Sequence, residues 1–378
     1  MDQAYIKRHN IERVLSTLDQ HQPLTRADLT HITDMSPASV TRIIGALGAM
    51  ELIEETQLAR TSGRGRRAVH LHTRPGGMYS LGFHINTRCL RMCLLDFGNR
   101  VVHSETVGLT ADDLAPEALA RLASEQIARV PAPLQPELRR LRVVGVSLSG
   151  RVDIERGTVA SSAAFGWTNV RLGEAFERQL HLPVRIENDV KACLTWERVH
   201  RGLAEDFDLA YLYIGRAGIG FANTVNGTLV RGRSNSSGEI EEARLGTNEK
   251  LSDHLMENSM LRRAQVVSPA VESIADILDA YRMRLPWAVI LLDDFRTHLN
   301  IVLQMIESML DPHLIILGGD VAEALAGLDG LLPDEHYCVA DRFDESCTAG
   351  AALIAMREAV QARIGGLLDA PDENGERP

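Results

Sequence analysis

The sequence contains little cysteine, and that little is scattered. Its 378 residues include five cysteines, an odd number, at positions 89, 93, 193, 338 and 347. This pattern excludes the disulfide framework that holds many small secreted domains together. Only Cys89 and Cys93 lie close in sequence, at a spacing that puts both on one face of a strand. We expect them to be buried thiols rather than metal ligands.

Long apolar runs are also missing. No stretch approaches the roughly 20 apolar residues of a membrane-spanning helix, and the first residues, MDQAYIKRHNIERV, lack the apolar core of a signal peptide. We therefore expect a cytoplasmic protein. Hydrophobic residues make up 45% of the chain and charged residues 24%, as in ordinary globular proteins. The length predicts two or three domains with ample core.

The net charge of −11 argues against a protein that coats nucleic acid along its whole surface. The charge is unevenly distributed, however. Residues 1–80 hold ten Lys/Arg and eight Asp/Glu, a net charge of +2, so the remainder carries −13. Such a chain would approach DNA through one small basic region and repel it elsewhere.

Residues 24–52 predict a helix-turn-helix. Thr25 and Ser36 are suited to cap two short helices, and Pro37 fits the first position of the second helix because its missing N–H costs nothing there. Leu29 and Ile32 give the first helix an apolar face. The second helix has its own apolar face at helical spacing, formed by Val40, Ile43, Ile44 and Leu47.

The opposite face of the second helix carries Ser39, Thr41 and Arg42 near the helix N-terminus. That part of a recognition helix reaches base edges in the major groove, so these three residues, with Ser36 and Pro37, are the candidate DNA contacts. A plain helical hairpin would produce the same pattern. The neighbouring segments decide between the two interpretations.

A support helix over 5–18 precedes the pair, and strands at 52–55 and 68–72 would form a wing behind it. The wing tip, residues 60–67, contains four arginines, two glycines and no acid. Glycine permits close backbone approach and arginine neutralises phosphates. Arg64, Arg66 and Arg67 are therefore further candidate DNA contacts, although a solvated basic loop is the simpler alternative.

Beyond a Pro/Gly break at 74–77, strand and helix patterns alternate. Strands are predicted at 79–85, 89–97, 101–109, 141–148, 184–187 and 313–317, and helices at 115–130, 172–180, 189–201 and 346–364, with a mostly helical region at 251–310. This order implies an α/β layered body. The polar, charged residues 365–378 are expected to be disordered.

Several motifs give the body a family resemblance. The segments that carry it, in chain order, are VGVSLSGRV (144–152), FGW (165–167), IENDVKA (186–192), GIG (218–220), NG (226–227), SSGEI (236–240), LGG (317–319) and AGAAL (349–353). Together with the winged helix, they resemble the ROK family of repressors, open-reading-frame proteins and kinases.

The resemblance implies an α/β fold in which an N-terminal winged helix-turn-helix precedes a two-lobed, actin-like sugar-kinase body. We expect a DNA-binding domain at 1–75, a first lobe at 76–186 completed by the helix 346–364, and a second lobe at 187–345. Family members with the winged helix are typically sugar-responsive repressors that act as dimers or tetramers. The expected partners are thus operator DNA, a sugar or sugar derivative, and a second copy of the chain.

The kinases of the family open the first lobe with an Asp-x-Gly-Gly-Thr turn that wraps ATP phosphates. Here the matching residues 84–88 are HINTR, without the acid or the glycines. Side chains would fill the phosphate space. We expect no ATP cofactor and no catalytic residues, and we interpret Gly218, Gly220, Gly318 and Gly319 as packing positions.

The sugar site is partly kept. Asn188 and Asp189 match the family's sugar-binding pair, and Glu239 matches its sugar-contacting glutamate. Asn188 and Asp189 could equally begin the following helix, and both roles can coexist. Glu242 stands where the family has histidine, and Asp253 aligns with the next sugar-contacting glutamate.

The family's cysteine-rich zinc loop is replaced by GTNEKLSD (246–253), so we expect no metal. Glu241 and Ala164 are further departures from the sugar motifs. Two other interpretations stay open: a carbohydrate kinase with an added DNA-binding domain, and a DNA-binding regulator controlled by a protein partner. The sequence does not distinguish a repressor from an activator.

Overall fold

The structure is a computed structural model that describes residues 3–57, 69–204, 206–216, 218–241, 243–244, 249–326, 336–340 and 342–369. Its helices within these ranges are α1 (Gln3–His21), α2 (Arg26–Thr33), α3 (Pro37–Ala49), α4 (Pro116–Ala128), α5 (Gln135–Leu138), α6 (Leu172–Leu180), α7 (Asp189–His200), α8 (Leu251–Leu255), α9 (Glu257–Val267), α10 (Ile274–Arg282), α11 (Pro286–Leu310), α12 (Asp320–Leu325) and α13 (Phe343–Asp369).

The strands of the same ranges are β1 (Ile53–Gln57), β2 (Val69–Thr73), β3 (Tyr79–Ile85), β4 (Cys89–Asp96), β5 (Val101–Gly108), β6 (Leu141–Leu148), β7 (Arg151–Asp153), β8 (Thr158–Ser162), β9 (Trp167–Val170), β10 (Val184–Asn188), β11 (Leu209–Ile214), β12 (Ile219–Val225), β13 (Thr228–Leu229), β14 (Leu314–Gly318) and β15 (Tyr337–Val339). No helix among the described residues is long and apolar enough to cross a membrane.

Contacts among the described residues divide the chain into two compact units. The first comprises 1–147, 171–186 and 348–378, and the second comprises 148–170 and 187–347. Residues 148–170 group with the second unit, and the described part of residues 1–75 groups with the first.

Within the first unit, α1, α2, α3 and the β1–β2 pair enclose a small core of their own. Its fully or almost fully buried side chains are Ile11, Val14, Leu18, Leu29, Val40, Ile44, Leu47 and Leu71. Leu29 is thus buried as predicted, whereas Ile32, expected on the same face, is 44% exposed. In a helix as short as α2 the apolar face is only one residue wide per turn.

The first unit also contains a five-stranded sheet in the order β10-β6-β3-β4-β5. The three successive strands that the sequence predicted, β3, β4 and β5, pair antiparallel. Strand β4 places Cys93 in the core, where burial raises the pKa of its thiol to about 12.

Helix α13 packs directly on this sheet. A Cβ atom on Gly82 of β3 would lie 2.0 Å from the carbonyl oxygen of Thr348, and one on Gly145 of β6 would lie 1.9 Å from that of Ala351. The helix and the sheet therefore meet backbone to backbone. The helix extends to Asp369, and its Ile364 is fully buried. Residues 370–378 lie outside the described ranges.

The second unit is built on a sheet in the order β13-β12-β11-β14-β15, in which β11 pairs parallel with β14 and antiparallel with β12. Helices α8 to α12 share one apolar core with the sheet, through residues such as Leu212, Leu255 and Leu292. A second cluster joins α7, the sheet and the start of α13 around Tyr211 and Cys347.

A three-stranded antiparallel sheet, β7-β8-β9, lies in the segment 151–170 of the second unit, for which the sequence predicted no strand. Only Val152, Val159 and Ser162 are buried along it. Strands this short and polar leave no alternating hydrophobic pattern to detect.

Candidate functional site

Helices α2 and α3 have the ends that the sequence predicted. The Thr25 side chain caps α2 and exchanges hydrogen bonds with Asp28, and the Ser36 hydroxyl accepts from the backbone N–H of Ser39 at 3.2 Å. Pro37 occupies the first turn of α3, and Asp34 makes the turn in the left-handed conformation, with φ 50°. The local chemistry therefore fixes a helix-turn-helix geometry.

The face of α3 opposite its core is accessible. Thr41 and Arg42 are exposed, whereas Ser39 is half-buried and its hydroxyl accepts a hydrogen bond from that of Ser36 at 2.9 Å. Thr41 and Arg42 are thus available to a partner, and Ser39 is partly engaged in holding the start of the helix.

Strands β1 and β2 pair antiparallel from Ile53↔Thr73 to Gln57↔Val69. They form the stem of a wing, one to two residues later than the sequence predicted. The basic tip, with Arg64, Arg66 and Arg67, lies outside the described residues. An ion pair of 2.5 Å between Arg26 and Glu55 links α2 to the stem.

In the second unit, β10 delivers Asn188 and Asp189 to the N-terminus of α7. The side-chain oxygen of Asn188 accepts from the backbone N–H of Lys191 at 3.2 Å, and its side-chain nitrogen donates to the backbone carbonyl of Gly150 at 3.1 Å. One Asp189 carboxylate oxygen accepts from the backbone N–H of Val190 at 2.9 Å. The helix-capping interpretation of Asn188 is therefore confirmed, and both side chains are almost completely buried.

A buried ionic cluster surrounds this pair. Glu187, 4% exposed, bonds the backbone N–H of Asn188 at 2.9 Å and forms an ion pair with Arg231. The Lys191 ammonium, also buried, donates to the backbone carbonyl of Asn235 at 2.7 Å. Burial lowers the pKa of Lys191, while the charges of Glu187 and Glu239 act in the opposite direction.

Asn235 ties the cluster to the small sheet. Its amide donates to the Val152 carbonyl of β7 at 2.9 Å, while its side-chain oxygen is buried without a hydrogen-bond partner. A buried acceptor of this kind costs free energy unless a donor reaches it. Four residues of this cluster were not predicted from the sequence: Glu187, Lys191, Arg231 and Asn235. The lysine inside the largely apolar start of α7 was the one sequence feature that could have indicated a buried charge there.

Glu239 belongs to the same electrostatic neighbourhood. Desolvation raises the pKa of its carboxyl, and the charges of Asp189 and Glu241 raise it further, while Lys191 and Arg151 lower it. Glu239 therefore lies close enough to Asp189 and Lys191 for their charges to act on its carboxyl. Gly238, with φ 94°, holds the loop against β12: a Cβ there would lie 1.8 Å from the Phe221 carbonyl oxygen.

Two other candidates are placed differently or not at all. Asp253 is exposed and its carboxylate accepts from the backbone N–H of Lys250 at 2.9 Å, which caps α8. Capping competes with any ligand contact for this oxygen. Glu242 lies outside the described residues.

Residues 82–353 match the ROK family. The chain belongs to the ROK family. It is 25% identical to the DNA-binding transcriptional repressor Mlc of Escherichia coli K12, over 92% of this chain and 93% of that protein. It is 24% identical to the xylose repressor of Bacillus spizizenii, over 85% of each.

Solved structures show the fold of the family. A ROK family transcriptional regulator, a homologue of E. coli Mlc, superposes with a TM-score of 0.76 at 23% identity, covering 96% of this chain and 98% of that one. The ROK glucokinase of Streptomyces griseus, solved with glucose and AMPPNP, superposes with a TM-score of 0.60 at 21% identity, covering 74% and 99%. About a quarter of this chain thus has no counterpart in the kinase.

The turn that would hold phosphate in a ROK kinase is closed here. The side-chain oxygen of Asn86 accepts from the backbone N–H groups of Arg88 and Cys89, both at 2.8 Å. His84 is buried and lies 3.2 Å from the Ser147 hydroxyl. These backbone donors are already used within the turn, so they cannot also bind a phosphate without rearrangement.

Three of the four glycines assigned to packing lie against side chains of the second unit. A Cβ on Gly318 would meet the Tyr211 hydroxyl oxygen at 1.8 Å, one on Gly319 would lie 2.7 Å from the Tyr213 ring, and one on Gly220 would lie 2.6 Å from Val190. Gly218 is more open, with the Glu241 carboxylate 3.6 Å from the same position. Tyrosine rings fill the space beside the LGG motif.

Proposed function

We propose that this ROK-family chain is a sugar-responsive transcriptional regulator, most simply a repressor of carbohydrate-metabolism genes. The observation that carries the proposal is the presence in one chain of two elements. One is a capped helix-turn-helix with an exposed polar face, and the other is a second unit in which Asn188 and Asp189 are buried and the charge of Asp189 acts on Glu239. The similarity to Mlc and to a xylose repressor over most of their lengths supports it.

Residues 1–75 act as the DNA-binding domain. Helix α3 presents Thr41 and Arg42 to base edges. Its N-terminus is held against the DNA backbone by Ser36, Pro37 and Ser39. The wing arginines 64, 66 and 67 neutralise phosphates. One DNA-binding domain of this size gives modest affinity for DNA. Two such domains bound to adjacent half-sites raise that affinity through effective concentration, so the chain works as a homodimer or a larger homo-oligomer in the cytoplasm.

The second unit binds the effector, a sugar or a sugar derivative. Asn188, Asp189 and Glu239 supply fixed polar groups that discriminate hydroxyl patterns, because an unmatched hydroxyl leaves a buried group unpaired. The side-chain oxygen of Asn235 is a further acceptor in this neighbourhood. Glu242 and Asp253 complete the candidate set, with Asp253 dependent on release from its capping role.

Helix α13 connects the two functions along the chain. In the second unit, the Cys347 thiol donates to the Asp189 carbonyl at 3.2 Å and the Ser346 hydroxyl donates to Glu197 at 2.9 Å. In the first unit, Arg357 of the same helix forms ion pairs with Glu12 and Asp19 of α1. A continuous helix with both sets of contacts is suited to bias α1 when Asp189 engages a ligand.

The test is operator binding at fixed salt, with and without hexoses, hexose phosphates and amino sugars, using DNA from the protein's own promoter. We expect one sugar to change the DNA affinity of the parent and to lose this effect in Asp189→Asn, whose DNA affinity without sugar stays that of the parent. DNA binding that no compound changes would reject the sugar effector and direct the search to a protein partner.

Phosphoryl transfer is the competing function, because the fold is shared with a glucokinase. The closed turn at Asn86 and the tyrosines beside Gly318 and Gly319 argue against it. A coupled assay for sugar-dependent ADP release should show no activity above that of the Asp189→Asn variant. Turnover that disappears in this variant would establish a kinase.

A further inference from the structure

A cluster of metal-ligating side chains lies in the helical layer of the second unit. It includes none of the residues assigned to the sugar, although its His254 directly follows Asp253 on α8. It comprises His254 of α8 with Asp294 and His298 of α11, and the ligand atoms of the three residues lie within 4.8 Å of one another. Asp294 and His298 share a helix face because they are four residues apart. The side chains are 12%, 26% and 19% exposed, so they are sheltered yet reachable from solvent.

The two imidazole rings are stacked, with centroids 3.5 Å apart and planes 11° apart. Their edges face the same carboxylate: Nδ1 of His254 lies 2.9 Å from one oxygen of Asp294, and Nδ1 of His298 lies 3.4 Å from the other. Each imidazole ring in its neutral form carries one nitrogen lone pair that can ligate a metal ion.

The contacts of His254 require a cation. Nδ1 faces Asp294 and Nε2 faces Glu249 at 3.1 Å, and carboxylate oxygens only accept hydrogen bonds. A neutral ring satisfies one of these contacts and leaves a lone pair against a carboxylate at the other. Either a second ring proton or a metal ion must lie between nitrogen and oxygen. With an ion at Nδ1, the Nε2–H donates to Glu249 and forms the carboxylate–histidine–metal relay that orients many ligating histidines.

Asp294 is prepared as an anionic ligand. Burial alone would raise the pKa of its carboxyl, but hydrogen bonds from His254 and Arg263 lower it below the ordinary value. Arg263 donates to one carboxylate oxygen at 2.6 Å, which fixes the side chain and leaves the other oxygen facing His298. His298 Nδ1 also lies 2.9 Å from the Asp294 backbone carbonyl, which holds its ring on the same side of α11.

We infer that His254, Asp294 and His298 form a binding site for a divalent first-row transition ion such as Zn²⁺ or Co²⁺. Two imidazoles with one carboxylate suit these ions, whereas Mg²⁺ and Ca²⁺ prefer all-oxygen ligands. Coordination by both histidines requires the rings to open from their 11° stack so that their lone pairs point at one ion. The ion links α8 to α11. The expectation of no metal rested on the absence of the family's cysteine-rich zinc loop, and this site contains no cysteine.

The experiment uses the full chain purified without a polyhistidine tag and stripped with EDTA. Titration with Co²⁺ should produce ligand-field absorption bands that saturate at a single ion per chain and disappear when Zn²⁺ displaces the cobalt. Zn²⁺ should also raise the melting temperature, since an ion that binds the native state stabilises it. No cobalt bands and no zinc-dependent shift in the parent would overturn the inference.

Variants locate the ion. His298→Ala and His254→Ala should each weaken Co²⁺ binding by at least about 100-fold, and Glu249→Gln, which removes only the supporting carboxylate, by about tenfold. His336→Ala is the matched control, because His336 is an exposed histidine of the same unit outside the cluster. If one histidine variant fails to fold, the other histidine variant and Glu249→Gln still test whether the ion binds at this cluster. Unchanged binding in the folded histidine variants would place the ion elsewhere and reject the site.

Discussion

The guanidinium of Arg357 on α13 lies 2.5 Å from the carboxylate of Asp19 on α1, and both side chains are largely buried, at 15% and 16% exposure. The same guanidinium pairs with Glu12, and Gln361 donates to the other oxygen of Glu12. Helix α1 is thereby held by helix α13.

Replacing Arg357 with Ala should reduce the free energy of unfolding by about 1.5–3 kcal/mol, because Asp19 and Glu12 lose a charged hydrogen-bond donor in a poorly solvated position. Urea denaturation measures this loss. Arg363→Ala, an exposed arginine of the same helix, is the control and should leave stability unchanged. If Arg357→Ala and Arg363→Ala both denature at the same urea concentration as the parent, the ion pairs of Arg357 with Asp19 and Glu12 do not stabilise the fold.

The packing of α13 on the sheet gives a second prediction. Gly145→Ala should destabilise the chain by about 3 kcal/mol or more, since its Cβ would lie 1.9 Å from the Ala351 carbonyl oxygen and neither backbone can yield easily. Gly108→Ala is matched to it, because Gly108 lies in a strand of the same sheet with no atom within 4 Å of an added Cβ. Thermal unfolding should separate the two variants clearly, and equal melting temperatures would show that α13 moves aside.

Arg42 should read a base. Arg42→Ala should then cost about 1–3 kcal/mol of operator affinity and relax preference at one base position, while leaving binding to unrelated DNA almost unchanged. Binding to operator variants measured at fixed salt tests this. A uniform loss across all sequences would instead make Arg42 a phosphate contact.

The wing should act through phosphates. The triple change of Arg64, Arg66 and Arg67 to Ala should weaken operator and unrelated DNA alike, and should reduce the dependence of affinity on salt concentration. The slope of log affinity against log salt is the measurement. Parallel slopes for parent and variant would mean that the wing tip does not touch DNA.

Sugar binding should depend on pH through Glu239. Its carboxyl is a stronger acceptor for hydroxyl donors when ionised, and desolvation with the charge of Asp189 raises its pKa above the ordinary 4.5. Protonation therefore begins at a higher pH than in a free glutamate. Calorimetry of the active sugar from about pH 7 down to about pH 5 should show affinity falling. Glu239→Gln should bind more weakly at neutral pH with a flatter profile; a parent profile as flat as that of the variant would remove Glu239 from the contact set.

Local signals explain which parts of the fold were predictable. Strands β3, β4 and β6 and helix α6 have regular apolar patterns bounded by turn residues, and the caps at Thr25 and Ser36 are chemically determined within three residues. The β7–β9 sheet has no such pattern. Helix α13, predicted to end at 364, extends to Asp369.

The candidate site shows the same limit. Family motifs identified Asn188, Asp189 and Glu239. Lys191 and Arg231 gain their partners, Asn235 and Glu187, only through contacts across 44 residues of sequence. The His254, Asp294 and His298 cluster likewise joins two helices forty residues apart. Without an alignment or a recognised spacing, a single sequence gives no reason to group such residues.

In the proposed function, effector binding and operator binding are coupled. Coupling of this kind is reciprocal: the factor by which the sugar changes operator affinity must equal the factor by which operator changes sugar affinity. The direct measurement is calorimetric titration of the active sugar into the protein alone and into its operator complex. We predict weaker sugar binding to the complex, by the same factor that the sugar weakens operator binding. Equal sugar affinities in the two titrations would contradict the account.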